Sequence, residues 1–275
     1  MKKAAIDKIT DQIISKMEEG VIPWKKSWHG LGVPSNPLTG NEYNGFNRLI
    51  LQMFGGGKFL TYKQAEKMGG QVKKGSKGIY LCKYGTFEKE NEKGEVSKLP
   101  YLSAFSVFSV RDIEGLEHLN ETQKDKIVPT IEDCHSFIES IDHKVENGEP
   151  AYSAIKDKVY MPAIGQFDSS EEYYSTYFHE LIHWTGHSSR LSRELKSFRC
   201  SKTSYSKEEL VAEMGAAFMC DRFGIEGTLD NSAAYLQSWL NVIKADKRLL
   251  MAASSKAYQA AEYLEQQAID NKLAA

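Results

Sequence analysis

At 275 residues, 41% apolar and 26% charged, the chain has room for one large or two ordinary domains and enough apolar residues for real cores. It has no run of about 18 apolar residues, which excludes a membrane-crossing helix. Residues 4–20 alternate apolar and charged positions, so no secretory leader is expected. Cys82, Cys134, Cys200 and Cys220 are scattered without a C-x-x-C. That fits free thiols in a reducing cytoplasm, not a disulfide framework or a cysteine zinc site. The net charge of −2 hides an asymmetry: residues 1–110 carry 17 Lys and Arg against 10 Asp and Glu, the remainder 18 against 27. A basic first half and an acidic second half suggest two domains with different partners, the first of them nucleic acid.

Ile6, Ile9, Ile13, Ile14 and Met17 follow helical spacing, and Gly20 and Pro23 stop that helix. Trp24, Lys25, Lys26 and Trp28 then interleave flat rings with cations. Residues 34–48 are rich in turn formers and include Tyr43, Asn47 and Arg48. Single-stranded nucleic acid needs rings to stack on and cations for its phosphates. The plainer reading places each aromatic in a core. An apolar helix over residues 49–54 ends at Gly55, Gly56 and Gly57. Thr61 and Gln64 form a capping box opening a short helix that includes Lys63 and stops at Gly69 and Gly70. Residues 71–78 form a glycine-rich turn in which Lys73, Lys74 and Lys77 suit phosphates, although a solvated hairpin turn explains them equally well. Residues 79–87 and 99–110 read as two strands joined by a charged tip.

Several residues of this half form an ordered set: Pro23-Trp24, Asn36, Thr39-Gly40, Tyr43-x-Gly45-x-Asn47, Leu60 through Ala65, Gly70-x-Val72-x-x-Gly75-x-Lys77-Gly78 and Phe108-x-Val110. The set resembles the N-terminal domain of ArdC-type antirestriction proteins, which is also similar to part of the TraC-type plasmid primases. The resemblance implies sequence-independent binding of single-stranded DNA, with the aromatics and lysines named above as candidate contacts.

Residues 111–126 are polar and charged and carry the expected boundary. The organisation read from the sequence is a domain over 1–118, a linker over 119–128 and a second domain over 129–275. Ile131, Cys134, Phe137, Ile138, Ile141 and Val145 share one helical face, and Asn147-Gly148 ends it. A short strand over 158–161 stops at Pro162.

The second half is organised around residues 171–187, which contain H-E-x-x-H. His179 and His183, four apart on a helix, meet on one face. Two imidazoles with Glu180 beside them are the minimal apparatus for activating water on a metal ion. Ser169 and Glu172 form a capping box, Tyr174, Tyr177, Phe178, Leu181 and Trp184 an apolar stripe, and Gly186 an end. A bare coincidence of two histidines on an amphipathic helix is the plainer alternative. A second helix begins near Ser206 and supplies the acids Glu209 and Glu213, four apart on one face. A catalytic zinc takes a third protein ligand and leaves a position for water. Glu209 ranks first for that role, His187 second and Glu213 third. Against Glu209 stands the pair Ser206 and Glu209, which itself reads as a capping box. Against His187 stands its spacing: the metzincin pattern requires histidine where Ser189 stands. Gly215, Ala216 and Ala217 permit close helix packing. The tail, residues 232–267, reads as two covering helices, with Trp239 in the core.

The runs Asp157-x-Val159-x-Met161-Pro162, Tyr173 through Leu191 and Glu208 through Phe218 are similar to the zincin-type metallopeptidase domain of ArdC and related polyvalent proteins. The resemblance implies Zn²⁺, or another divalent ion such as Mn²⁺, held by His179, His183 and Glu209. Glu180 would be the catalytic base and Glu213 would orient a ligand. The strand at 158–161 would pair with an extended substrate. The expected whole is a two-domain α+β cytoplasmic antirestriction protein. It would bind single-stranded DNA, act on a host protein and have no membrane partner. The alternative is a DNA-coating protein whose metal site is structural or vestigial.

Overall fold

The computed structural model describes residues 2–20, 33–90, 96–119, 131–193, 195, 202–225 and 233–274. Trp24, Lys25, Lys26 and Trp28, the expected linker beyond Leu119, and Cys200 lie outside them. The chain divides into two compact units, the change falling between the described stretches that end at 119 and begin at 131.

In the first unit, helix α1 (Lys2–Glu18) buries Ile9, Ile13 and Met17. Helix α2 (Gly45–Met53) buries Leu49, Ile50 and Leu51 and ends where Gly55, Gly56 and Gly57 all take positive φ. Strand β1 (Phe59–Leu60) leads into α3 (Tyr62–Lys67), whose Thr61–Gln64 capping box has both arms made. The 71–78 segment is not all turn: β2 (Gln71–Val72) is a strand. Strands β3 (Ile79–Glu90) and β4 (Val96–Ser109) form the expected antiparallel hairpin, with Leu81 opposite Phe105, and β1 adds to the far edge of β4.

The start of the polar 111–126 segment packs into this unit. Strand β5 (Ile113–Glu114) pairs with β2, and Val110, Ile113 and Leu116 close over Leu60 and Ala65. The charged residues between these apolar ones concealed that pattern. Gly70 is required here, because a Cβ on it would lie 2.6 Å from the Leu116 side chain.

β3 stands at the edge of its sheet, and an open edge invites unwanted pairing. Two side-chain amides cover part of it. Gln12 of α1 donates to the Tyr80 carbonyl at 2.6 Å and accepts from its N–H at 2.9 Å. Asn47 of α2 does the same to Cys82, at 2.8 and 2.9 Å. Asn47, expected on DNA, is therefore committed to the fold. Tyr43 is also tied back, donating to the Phe59 carbonyl at 3.3 Å.

The second unit opens with α4 (Ile131–Glu139), shorter than the periodicity suggested. Ile141 is buried beyond its end, and Val145 belongs to strand β6 (Val145–Glu146). With β7 (Ala151–Ser153) and β8 (Lys158–Tyr160), β6 forms a sheet ordered β6-β8-β7. Both edges of β8 are thus taken, which removes it as the strand that pairs with a substrate; among the described residues, the edges of this sheet belong to β6 and β7. Helices α5 (Ser170–Thr185), α6 (Lys202–Phe223), α7 (Ala233–Ala245) and α8 (Arg248–Ala274) complete the unit. Phe137, Phe178 and Phe223 pack ring to ring between α4, α5 and α6, and Trp239 is in the core. Cys82, Cys134 and Cys220 are buried free thiols.

Asn47→Ala would remove both amide contacts to the edge of β3 at Cys82, at a cost of about 1–3 kcal/mol. Denaturant unfolding should show that loss, and any binding of single-stranded DNA by the folded variant should match that of the wild type. Unchanged stability with lost DNA affinity would return Asn47 to the nucleic-acid surface.

Candidate metal centre

Helix α5 starts where the Ser169 hydroxyl accepts from the Glu172 N–H at 3.1 Å. The returning arm of the box lands one residue early: Glu172 accepts from the Asp168 N–H at 3.0 Å. The apolar stripe of Tyr174, Tyr177, Phe178, Leu181 and Trp184 is buried throughout. His143 supports this face. Its Nδ1 lies 2.8 Å from the Ile141 carbonyl and so carries the hydrogen, leaving Nε2 to accept from the Tyr177 hydroxyl at 2.8 Å.

Helix α6 starts at Lys202, so Ser206 lies inside it and is not its cap. The rival local use of Glu209 therefore disappears. α6 approaches α5 closely at Gly215, where a Cβ would lie 2.7 Å from two carbons of Ile182. At that separation a glutamate of one helix reaches the histidines of the other.

His179 Nε2 and His183 Nε2 are 3.1 Å apart. Glu209 closes the triangle, Oε2 at 3.5 Å from the first and Oε1 at 3.4 Å from the second. Ligands at about 2.0–2.1 Å from a tetrahedral ion stand about 3.3 Å from one another. The three distances, which reach Glu209 through its two different oxygens, lie near that figure, and the donor set of two nitrogens and one carboxylate suits a divalent ion. Among the described residues, His179, His183 and Glu209 form the one group so arranged.

The other expected residues sit around this group in different ways. Glu180 is buried beside it on α5. Glu213 Oε1 lies 4.0 Å from His179 Nδ1, on the side of the ring away from Glu209. His187 does not join the group; its Nδ1 faces the Ser189 hydroxyl at 2.8 Å in the loop after α5. That loop is tied down by Arg190, which stacks on the Trp184 ring and pairs with Asp157. The guanidinium holds the Asp157 carboxyl down at about 2.

Two residues escaped sequence reasoning. Glu208 Oε1 lies 3.4 Å from His183 Nδ1. Arg193 Nη2 in turn donates to Glu208 Oε1 at 2.8 Å. Glu208 could have been suspected from its place beside Glu209; nothing in the spacing of Arg193 points to the site.

Burial pushes both metal-facing imidazoles down, but the glutamates more than reverse it. His179 is raised by Glu209, and His183 by Glu208 and Glu209 to about 10. Conversely, burial pushes the Glu208 and Glu209 carboxyls up, and the imidazoles override it, joined by Arg193 at Glu208, so both are held low.

A model of zincin-like metallopeptidases matches residues 132–256, and a model of the N-terminal domain of the anti-restriction factor ArdC matches residues 3–108. The fold and the site thus define a two-domain α+β protein with a zincin-like metallopeptidase domain. Two solved structures are similar along nearly the whole chain, both of the antirestriction protein ArdC from the R388 plasmid. The metal-free form is 36% identical with a TM-score of 0.78, covering 96% of this chain and 98% of that one. The Mn(II)-bound form is 35% identical with a TM-score of 0.77, covering 96% and 97%. The chain belongs to the ArdC family of antirestriction proteins. A DNA primase TraC of Escherichia coli is 30% identical over 96% of this chain, which spans 27% of that protein's length; a second TraC is 31% identical, and the chain spans 20% of it.

An ion bound between the imidazoles needs their nitrogen lone pairs, so it must displace any proton there. With His183 raised to about 10, the metal-free ring is protonated at neutral pH. Metal affinity should therefore rise with pH through the neutral range and level off above about 10. Calorimetric titration with Mn²⁺ in buffers of different ionisation enthalpy should record at least one proton released per ion at pH 7. No proton release would contradict this account.

Proposed function

We propose that this chain is an antirestriction protein of a mobile element that joins single-stranded DNA binding to a zinc-dependent, metallopeptidase-type centre in the host cytoplasm. The observation that carries the hydrolytic half is the convergence of two α5 imidazoles and the α6 carboxylate of Glu209. Family membership supports the antirestriction role and the DNA half.

In this reading His179, His183 and Glu209 hold the ion, and Zn²⁺ suits their donor set. When bound, the ion supplies Lewis acidity that polarises a carbonyl and brings the pKa of water toward ~7. Glu180 accepts the proton of the attacking water and returns it to the leaving nitrogen. Glu208 and Glu213 flank the outer nitrogens of the two rings, as acids that hold ligating histidines do. An extended substrate would pair with an open sheet edge, at β6 or β7. A host protein is the substrate class that follows.

The DNA-facing residues of the first unit that support the reading are Lys63, Lys74 and Lys77, all exposed. Lys73 is also exposed but donates to the Arg111 carbonyl at 2.7 Å, which reduces its availability. Arg48 lies 3.9 Å from Glu42. Tyr62, 55% exposed at the start of α3 beside Lys63, offers a ring for base stacking that sequence reasoning did not single out.

Glu180→Ala should retain the metal and lower peptide hydrolysis by about 10²–10⁴-fold, the usual contribution of a general base. Protection of incoming DNA in cells should fall with it. Full protection by a folded, metal-loaded Glu180→Ala protein would assign the function to DNA coating alone. The DNA half has its own test. The double variant Lys74→Ala, Lys77→Ala should flatten the salt dependence of single-strand binding by about 1.4 in log–log slope, about 0.7 for each phosphate no longer neutralised. An unaltered slope would remove these lysines from the phosphate path.

A further inference from the structure

We propose that Arg193 is a positioning residue of the metal centre that selects Glu209, rather than its neighbour Glu208, as the ligating carboxylate. This inference rests on the reading of His179, His183 and Glu209 as a metal site.

Glu208 and Glu209 are adjacent on α6, and both carboxylates reach His183. Glu208 Oε1 is 3.4 Å from Nδ1, and Glu209 Oε1 is 3.4 Å from Nε2. Either acid has the chemistry to bind a divalent ion. What separates them is Arg193. Its Nε stands 3.2 Å from each Glu208 oxygen, and its Nη2 donates to Oε1 at 2.8 Å. Glu209 carries no such restraint from Arg193.

The guanidinium is itself fixed. Its side chain is only 4% exposed. Nη1 donates to the Thr185 hydroxyl at 2.8 Å, and Nη2 donates to the Ile182 carbonyl at 2.6 Å. That carbonyl belongs to the last turn of α5, where helix carbonyls need outside donors. The Arg193 N–H also donates to the Gly186 carbonyl at 2.9 Å. A Cβ at Gly186 would lie 2.9 Å from Arg193 Nη2, so a side chain there would have to displace this guanidinium.

One planar cation thus fastens the end of the histidine helix to Glu208. A carboxylate only accepts, so Glu208 so placed keeps the hydrogen of His183 on Nδ1. When a metal displaces the Nε2 proton, the lone pair that takes its place points at His179 and Glu209. Released from Arg193, Glu208 would be free to swing onto the ion or to let the ring change tautomer.

The test is a set of variants with Co²⁺ as probe, read by chelator competition and by the visible ligand-field spectrum, with no substrate present. The wild type should bind Co²⁺ with a spectrum of low coordination number. Arg193→Met should weaken Co²⁺ by about 10–100-fold, the usual cost of losing an outer-shell partner. Its spectrum should also lose intensity as Glu208 joins the ion. Glu208→Gln should weaken binding similarly without that change. The double variant should match Glu208→Gln alone, because Arg193 acts through Glu208. Arg193→Lys, which lacks the fork, should not restore the wild-type spectrum.

An unchanged affinity and spectrum in folded Arg193→Met, or losses that simply add in the double variant, would overturn the proposal. If Arg193→Met does not fold, Arg193→Lys and Glu208→Gln decide it: wild-type affinity and spectrum in both would overturn it. Failure of the wild type to bind Co²⁺ would instead defeat the metal reading beneath it.

Discussion

The second unit depends on one close approach. Two helices, α5 and α6, meet where Ile182 packs onto Gly215, with no space for even a methyl group. Everything at the site follows from that separation. The imidazoles of His179 and His183 point out of α5 on neighbouring turns, and α6 is near enough for a glutamate to close the third side. A helix displaced outward by a side chain at 215 would leave two histidines and no third ligand. The aromatic packing of Phe178 against Phe223 holds the same pair of helices together further along.

A cluster of buried histidines and carboxylates is costly unless each charge has a partner. Here the partners are arranged in pairs across the helix interface. Each imidazole presents Nε2 to the centre and turns Nδ1 toward an acid behind it, Glu208 at 3.4 Å for His183 and Glu213 for His179 at 4.0 Å, an electrostatic contact beyond hydrogen-bond reach. In the metal-free protein the protons on the rings answer the carboxylates. A dication can take over that role with little change in the charge of the surroundings. On the proposed reading, such a site would exchange protons for metal without a large rearrangement.

Much of this was legible in the sequence, for identifiable reasons. H-E-x-x-H is a statement about helical period, and the period held. Small residues at 215–217 announced a close helix approach, and the hairpin of the first unit followed from alternation. The failures are as physical. Ser206 and Glu209 have capping-box spacing, but spacing does not say whether a helix has already begun, and α6 had. Glu208, Glu209 and Glu213 could not be sorted by period alone, because their roles depend on Arg193 and on which ring nitrogen each one meets. Asn47 looked like a polar residue among aromatics; only the fold brings it to the edge of β3, 35 residues on. The strand at 158–160 was found, but its place between two neighbours is a property of the sheet.

That His179, His183 and Glu209 together hold one divalent ion is the central claim. Anomalous diffraction from crystals grown with Mn²⁺ or Zn²⁺ tests it most directly. One strong peak per chain is expected, about 2.0–2.2 Å from both Nε2 atoms and from a Glu209 oxygen. A peak coordinated by His187, Glu208 or Glu213 in place of Glu209, or no peak between the imidazoles, would contradict it.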